Sequence, residues 1–318
     1  MRLFVDADFK FLEQRKRAYV LSSVIITAGL IAMVVNVATL GSWLNYGVDF
    51  TGGSVVQVAF TQPTAPNDVR TALGGGDAAG VTQFGEENVY LIRLPLEEGA
   101  TVEEVSERVQ EQLATAYGAG AFEVERTELV SPIVGEELQT KALLAILLTF
   151  LLTLIYLAAR FEPRFGVAAV VATLHDILLT LSFIAVFRVE MMLPTIAAIL
   201  TIVGYSLNDT IVVFDRIREN MHAKGARKAD QFELINRSLN ETLPRTVMTG
   251  VSVLATLVAL LVFGPLVLRD FSMVMFLGII AGTYSSLWVA APALIEIRRR
   301  FGEGTSTEPR KRAETATV

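Results

Sequence analysis

Six stretches of the chain, at 18–40, 142–159, 167–187, 192–214, 246–263 and 271–295, are apolar over about 20 residues each. At about 1.5 Å of rise per helical residue, each is long enough to cross a hydrocarbon core of about 30 Å. Inside a bilayer the backbone has no water to bond, so each crossing must satisfy its polar groups within a helix. The expected fold is therefore a polytopic α-helical membrane protein with six transmembrane helices. Composition agrees, because 52% of the 318 residues are hydrophobic, 19% are charged and the mean hydropathy is +0.49. That leaves too little polar surface to coat a soluble enzyme. The chain has no Cys, and its two His are His175 and His222, which removes thiolate catalysis, disulfides and His-rich zinc sites together. No metal site, nucleotide site, cofactor, enzymatic activity or nucleic-acid binding is expected.

The first stretch follows Arg15, Lys16 and Arg17. It is longer than the apolar core of about 7 to 15 residues in a cleavable signal, so it reads as an uncleaved first helix. Lys and Arg then set the orientation, because positive residues are retained on the cytoplasmic side. Segment 1–17 carries five, the turn with Arg160 and Arg164 two, segment 215–245 seven and the tail after 296 six. The two short loops on the opposite side carry one each, Arg188 and Arg269. Residues 1–17 and the tail 297–318 are thus expected in the cytoplasm, and the large insert 41–140 outside the cytoplasmic membrane.

That insert holds 16 acidic residues against four Arg and carries its own folding signals. Residues 53–60 alternate like a strand, 67–73 form a short helix after Pro66, and 88–94 form a strand beyond the Gly-rich turn 74–76. Thr101 and Glu104 form a capping-box pair ahead of Val102, Val105, Val109 and Leu113 at helical spacing, and a last strand falls near 121–129. The order β-α-β-β-α-β predicts an α+β, ferredoxin-like extracytoplasmic domain between helices 1 and 2. Its acid excess reads best as a solvated face. Helices 2–6 occupy 141–296. Within the loop 215–245, Phe232, Ile235, Leu239 and Leu243 recur every three or four residues, which predicts an amphipathic helix lying along the inner membrane face. The tail from Gly302 has almost nothing to bury and reads as disordered.

Polar residues inside the apolar stretches are the candidates for function. Asp209 stands mid-helix beside Asn208 and Thr210, with Ser206 one turn earlier. An Asp there costs about 2.5–3.5 kcal/mol on insertion scales, so it either tightens packing through hydrogen bonds or marks an ion path. The third span carries His175 and Asp176, with Thr173 and Thr180 on the stripe of Asp176. The fifth opens after Pro244 with Arg245, followed by Thr249, Ser252 and Thr256 at matching spacing. Should the stripes face one another, a carboxylate and a guanidinium would share a hydrated seam. Arg245 near a helix end could equally snorkel to the interface, and His175 with Asp176 could be a satisfied helix contact. Gly278 and Gly282 fit a small-residue packing notch.

Two blocks carry a resemblance to a known family. The run Gly204-Tyr-Ser-Leu-Asn-Asp-Thr-Ile-Val-Val-Phe-Asp-Arg-Ile-Arg-Glu-Asn220 resembles the signature of the SecF family, subunits of the bacterial SecDF protein-export complex within the resistance-nodulation-division superfamily. Gly47-Val-Asp-Phe-Thr-Gly-Gly53 is similar to that family's motif at the start of the outer domain. The runs Phe161-Glu-Pro-Arg-Phe-Gly166 with His175-Asp176, and Leu239-Asn-Glu-Thr-Leu-Pro-Arg-Thr246, agree. Val130-Ser-Pro-Ile-Val-Gly135 departs by placing Ser before the Pro, where the family more often has Gly.

The resemblance implies a subunit that uses the proton-motive force with SecD, which supplies the other six-helix half, to assist late export of preproteins through SecYEG. YajC and the YidC insertase are implied as further partners, beside preprotein and membrane lipid. Asp209 and Arg245 are implied as proton-pathway residues, with Asn208, Ser206, Asp176, His175 and Thr249 as the supporting seam. Gly47, Asp49, Gly52 and Gly53 are expected at a hinge, with Asp49 in a structural role as the cap of a turn or of the sheet edge. Two readings compete: a half-size efflux transporter of the same superfamily, and a non-conducting scaffold in which Asp209 serves packing alone.

Overall fold

The computed structural model describes residues 7–74, 80–84, 88–95, 101–130, 132–160, 162–223, 230–265 and 268–301. Gly75 and Gly76 of the Gly-rich turn, Ser131, Phe161 and the tail from Gly302 lie outside the described residues. Apolar length becomes helix length. The six helices long and apolar enough to cross a membrane are α1 (Arg15–Leu40), α5 (Pro132–Arg160), α6 (Pro163–Phe187), α7 (Leu193–His222), α8 (Gln231–Phe263) and a composite sixth. The composite joins α9 (Arg269–Ser285), a π-helical turn (Ser286–Ala290) and α10 (Ala291–Phe301). Helices α6, α7 and α9 form the buried centre of the bundle. Exposed rows such as Val20, Val24 and Ile31 on α1, or Leu147, Leu151 and Ile155 on α5, fit contact with lipid.

Small residues let the central helices touch. A Cβ on Gly278 would lie 2.1 Å from Ile202, and one on Gly282 would lie 2.9 Å from Ser206, so this glycine pair is the notch through which α9 meets α7. Gly29 brings α1 equally close to Ser182 of α6.

Two expectations about α8 and its neighbours need correction. Pro244 does not open a new helix. It sits inside one continuous helix from Gln231 to Phe263, so 231–245 is not a separate amphipathic helix. The reason is packing. Ile235, Leu239 and Leu243 are buried in one apolar cluster with Phe11, Leu12, Phe214 and Ile217, which holds both sides of the proline in line. Asn236 and Asn240 fasten the chain before α1 to this part of α8, each donating from Nδ2 to the Phe9 carbonyl at 2.9 Å, and the Phe9 N–H returns a bond to Asn240 Oδ1 at 2.8 Å.

Between α1 and α5 lies a four-stranded antiparallel sheet in the order β3 (Gly80–Gln83), β4 (Val89–Leu94), β2 (Gly53–Phe60), β5 (Phe122–Val130). Helices α3 (Pro66–Ala72) and α4 (Val102–Tyr117) complete a β-α-β-β-α-β order along the chain. Val56, Val58, Val69, Ile92, Val105, Val109 and Leu113 fill one core. The capping box forms as its sequence demands, with Glu104 N–H donating to Thr101 Oγ1 at 3.2 Å and Thr101 N–H to Glu104 Oε2 at 2.9 Å.

The Gly47–Gly53 motif ties this domain to the membrane helices. Strand β1 (Asn45–Tyr46) pairs in parallel with β6 (Glu190–Met191), and Gly47 N–H donates to the Met191 carbonyl at 2.8 Å. The motif then turns through α2 (Val48–Thr51). Gly53, at φ +148°, lies so close to the Leu94 carbonyl that a Cβ would come within 2.6 Å of it.

Candidate functional site

Asp209 turns inward from the middle of α7 and is 6% exposed. Its Oδ1 accepts a hydrogen bond from Thr246 Oγ1 of α8 at 2.7 Å, while Oδ2 has no hydrogen-bond partner within 3.5 Å among the described residues, with the Ser286 hydroxyl standing near the carboxyl. A full negative charge would leave that oxygen without a close hydrogen bond in a medium that solvates it poorly. Beside it, Thr210 Oγ1 and Ser286 Oγ, from the first residue of the π-helical turn, lie 3.0 Å apart.

Arg245 does not pair with Asp209 in this conformation. It lies on the exposed side of α8, forms no ion pair among the described residues and acts on Asp209 only through space. Thr249, Ser252 and Thr256 share that exposed face, their hydroxyls donating to carbonyls of their own helix at 2.8 to 3.2 Å. Thr249 therefore faces neither Asp209 nor Asp176 within this chain. Thr246, about 100° from Arg245 around the helix, supplies the inward hydroxyl instead. Asn208 is likewise exposed, beside Gly204 and Thr201 on one face of α7. Two packed helices thus present polar faces on the outside of this bundle, at membrane depth.

A second polar cluster lies wholly inside. Asp176 of α6 is fully buried, and its Oδ2 accepts hydrogen bonds from Ser206 of α7 and from Ser285 of α9, the latter at 2.7 Å. Its Oδ1 lies 3.0 Å from His175 Nδ1, and His175 Nε2 lies 2.8 Å from Ser22 Oγ of α1. Ser206, Asp176 and His175 are thus together, while Thr180 bonds its own helix at the Asp176 carbonyl. Ser22, Thr246, Ser285 and Ser286 were not singled out in the sequence. A lone hydroxyl in an apolar helix usually bonds its own backbone, so it announces no partner.

Asp49 does not cap a local turn or the sheet edge. Its Oδ2 accepts the N–H of Leu193, the first residue of α7, at 3.0 Å, so the glycine-rich motif caps the helix that carries Asp209. Gly47 packs against Glu190 and Met192. Gly52 (φ +75°) and Gly53 form the exit into β2. Gly135 of α5 approaches the Phe50 carbonyl so closely that a Cβ would lie 2.7 Å from its oxygen, and Gln139 Nε2 donates to the same oxygen at 2.7 Å. Nearby, Arg93 of β4 reaches Glu190 Oε2 at 3.3 Å and Thr82 Oγ1 at 3.0 Å. Burial pushes the Glu190 carboxyl above its ordinary range, Arg93 opposes this, and Asp270 and Asp49 add to it.

These features define a polytopic α-helical membrane protein with carboxylates enclosed in its bundle and an α+β insert clamped to the helix that bears one of them. Residues 109–300 match the family model for the C-terminal part of the protein export membrane proteins SecD and SecF, and residues 37–64 match the SecD/SecF GG motif. The chain is 40% identical to the protein translocase subunit SecF of Gemmatimonas aurantiaca, across 95% of this chain and 90% of that protein. It is 39% identical to the SecF of Pseudomonas aeruginosa, across 83% and 87% of the two chains. Among solved structures it is similar to the translocon-associated membrane protein SecDF of Thermus thermophilus, with a TM-score of 0.74 and 36% identity. That match covers 94% of this chain but only 40% of the SecDF chain. The chain belongs to the SecF family of protein translocase subunits.

Proposed function

We propose that this protein works as one six-helix half of a SecDF-type unit in the cytoplasmic membrane, coupling proton entry at Asp209 to late export of preproteins. The observation that carries the reading is the setting of Asp209, buried between α7 and α8 with one oxygen bonded to Thr246 and the other unpartnered. Gaining and losing a proton there changes which helix arrangement is preferred, and a 100 mV potential supplies about 2.3 kcal/mol per charge to bias it. Arg245, poised outside the seam, stabilises the ionised form when the helices shift and bring it close.

The exposed polar face of Asn208, Arg245, Thr249, Ser252 and Thr256 supports a companion half. Polar groups at membrane depth are costly against lipid and are accommodated against another helix bundle or a hydrated cleft. SecD fits that need, with SecYEG the channel it serves and YajC and the YidC insertase as further neighbours. The charge asymmetry of the loops supports cytoplasmic termini and an outward, ferredoxin-like domain between α1 and α5. Through the Asp49 bond, motion of α7 passes directly to that domain.

The test is Asp209→Asn in vesicles holding the chain with SecD and SecYEG. The substitution keeps size and one hydrogen-bond acceptor but carries no titrating charge, so proton uptake and late release of a preprotein should both fall to background. Wild-type rates for both in that variant would defeat the reading.

A further inference from the structure

We infer that His175 and Asp176 form a second proton-holding site, separate from Asp209, served by a hydroxyl wire through Ser22 and Tyr284 to the Arg15 end of α1. The inference deepens the proton-driven reading and rests on it for the purpose of the site, while the proton itself is located by counting donors.

The count starts where the answer is forced. A carbonyl only accepts, so the single hydrogen of Tyr284 Oη points to the Ala18 carbonyl at 2.8 Å. In the Ser22–Tyr284 contact at 3.2 Å the donor must then be Ser22. With its one hydrogen committed, Ser22 can only accept from His175, so Nε2 carries a proton. The remaining contact, His175 Nδ1 to Asp176 Oδ1 at 3.0 Å, needs one hydrogen as well. Either the imidazolium donates to a carboxylate or a protonated Asp176 donates to a neutral ring. Both hold one proton more than a neutral His beside an ionised Asp. The other Asp176 oxygen faces the hydroxyls of Ser206 and Ser285, and the single Ser285 hydrogen is shared between that oxygen at 2.7 Å and the Gly282 carbonyl at 3.1 Å.

Discharge follows the same wire. Nε2 gives its proton to Ser22 Oγ, Ser22 passes its own to Tyr284 Oη, and Tyr284 passes its own to solvent water, the acceptor, at the end of the bundle. Each group ends with one hydrogen pointing back along the chain, Asp176 is left ionised against Nδ1–H, and Ala18 loses its partner. Tyr284 is half-buried and stacks on His175 with ring centres 6.0 Å apart. Tyr19 is within electrostatic reach of Tyr284, Arg15 and Glu296, which places charged residues where the wire ends.

Three of the helices packed against α6 face the pair with a hydrogen-bonding group. From α1 comes Ser22, from α7 Ser206 with Asp209 a turn further on, and from α9 Tyr284 and Ser285. Among the described residues, neither His175 nor Asp176 has a lysine or arginine within ion-pair distance. Coupling to Asp209 is built in, because Ser285 bonds Asp176 while the adjacent Ser286 contacts Thr210, next to Asp209. The π-helical turn begins at this pair of serines, a local geometry often found at functional positions.

The test uses the full chain with SecD in lipid nanodiscs, with ¹⁵N-labelled histidine. Two histidines give two sets of signals, and His222→Gln assigns them. At neutral pH His175 should show a protonated Nε2. In Tyr284→Phe the Ser22 hydrogen loses its acceptor and turns to Nε2, so His175 should switch to the Nδ1–H tautomer, and in sealed vesicles with SecD and SecYEG proton-driven export should fall about tenfold, the equivalent of one lost hydrogen bond. An unprotonated Nε2 in the unmodified chain, or an unchanged tautomer in Tyr284→Phe, would overturn the inference. Asp209→Asn separates the two claims. If export survives that change while the His175 signature is as expected, the second site stands and the role of Asp209 falls.

Discussion

Replacing Gly29 by Ala tests the helix crossing on which the interior chemistry depends. The added Cβ would lie 2.1 Å from Ser182 Cβ and 2.5 Å from Ser182 Cα, whereas carbon atoms settle about 3.5 to 4.0 Å apart. A backbone atom is among the obstacles, so a change of rotamer cannot relieve the clash and α1 must move away from α6 by roughly 1 Å or more. Gly29 lies on the same face as Ser22 and Asn36, seven residues from each. The movement therefore lengthens the 2.8 Å contact between Ser22 and His175 and the 3.0 Å bond from Asn36 Nδ2 to the Ala185 carbonyl. Overpacking costs about 1–3 kcal/mol, and two weakened hydrogen bonds add about 0.5–1.5 kcal/mol each, so the expected loss is about 2–6 kcal/mol. Thermal unfolding of the detergent-solubilised chain, followed by tryptophan fluorescence, should show a midpoint several degrees lower. Ser182→Gly in the same chain should recover part of the loss by removing the nearest atom. A Gly29→Ala midpoint equal to that of the unmodified chain would refute the close crossing and the contacts built across it.

Two further outcomes follow from the contacts of the glycine motif with β6 and α7. Asp49→Ala removes the acceptor for the Leu193 N–H and should cost about 0.5–2 kcal/mol, seen as faster amide exchange in the first turn of α7, while unaltered exchange there would contradict the cap. Glu190, whose carboxyl is raised by burial from an ordinary value of 4.5, binds its proton more readily folded than unfolded. Its contribution to stability is fully present below the unfolded value and is lost as pH rises through the raised folded value. Glu190→Gln should flatten that part of the stability profile, measured by chemical denaturation from pH 4 upward, and an unchanged slope would sink the assignment.

Particular residues show where pattern sufficed and where it did not. The Thr101–Glu104 capping box was legible because both partners lie within one turn of chain. The third-span stripe was legible because Thr173, Asp176 and Thr180 are all buried. In the fifth span, spacing correctly put Arg245, Thr249, Ser252 and Thr256 on one face, but it could not say that this face looks out of the bundle. Thr246, one position along, makes the contact with Asp209. Pro244 read as a helix start because a proline costs a hydrogen bond inside a helix, and burial of Ile235, Leu239 and Leu243 overrode that local preference. Ser22 gave no signal, since its partner is 153 residues away.

From the chain alone came the six crossings, the capped helix of the insert and the presence of acids where lipid would reject them, because these depend on length, period and composition within short windows. Which hydroxyl meets which acid, that Asp49 holds the end of α7, and that Arg245 stands outside the seam were decided only when the helices packed. The rotation of one helix against another is set by contacts between residues far apart in the chain, and a single step along a helix turns a side chain by about 100°, from the interior to the outside.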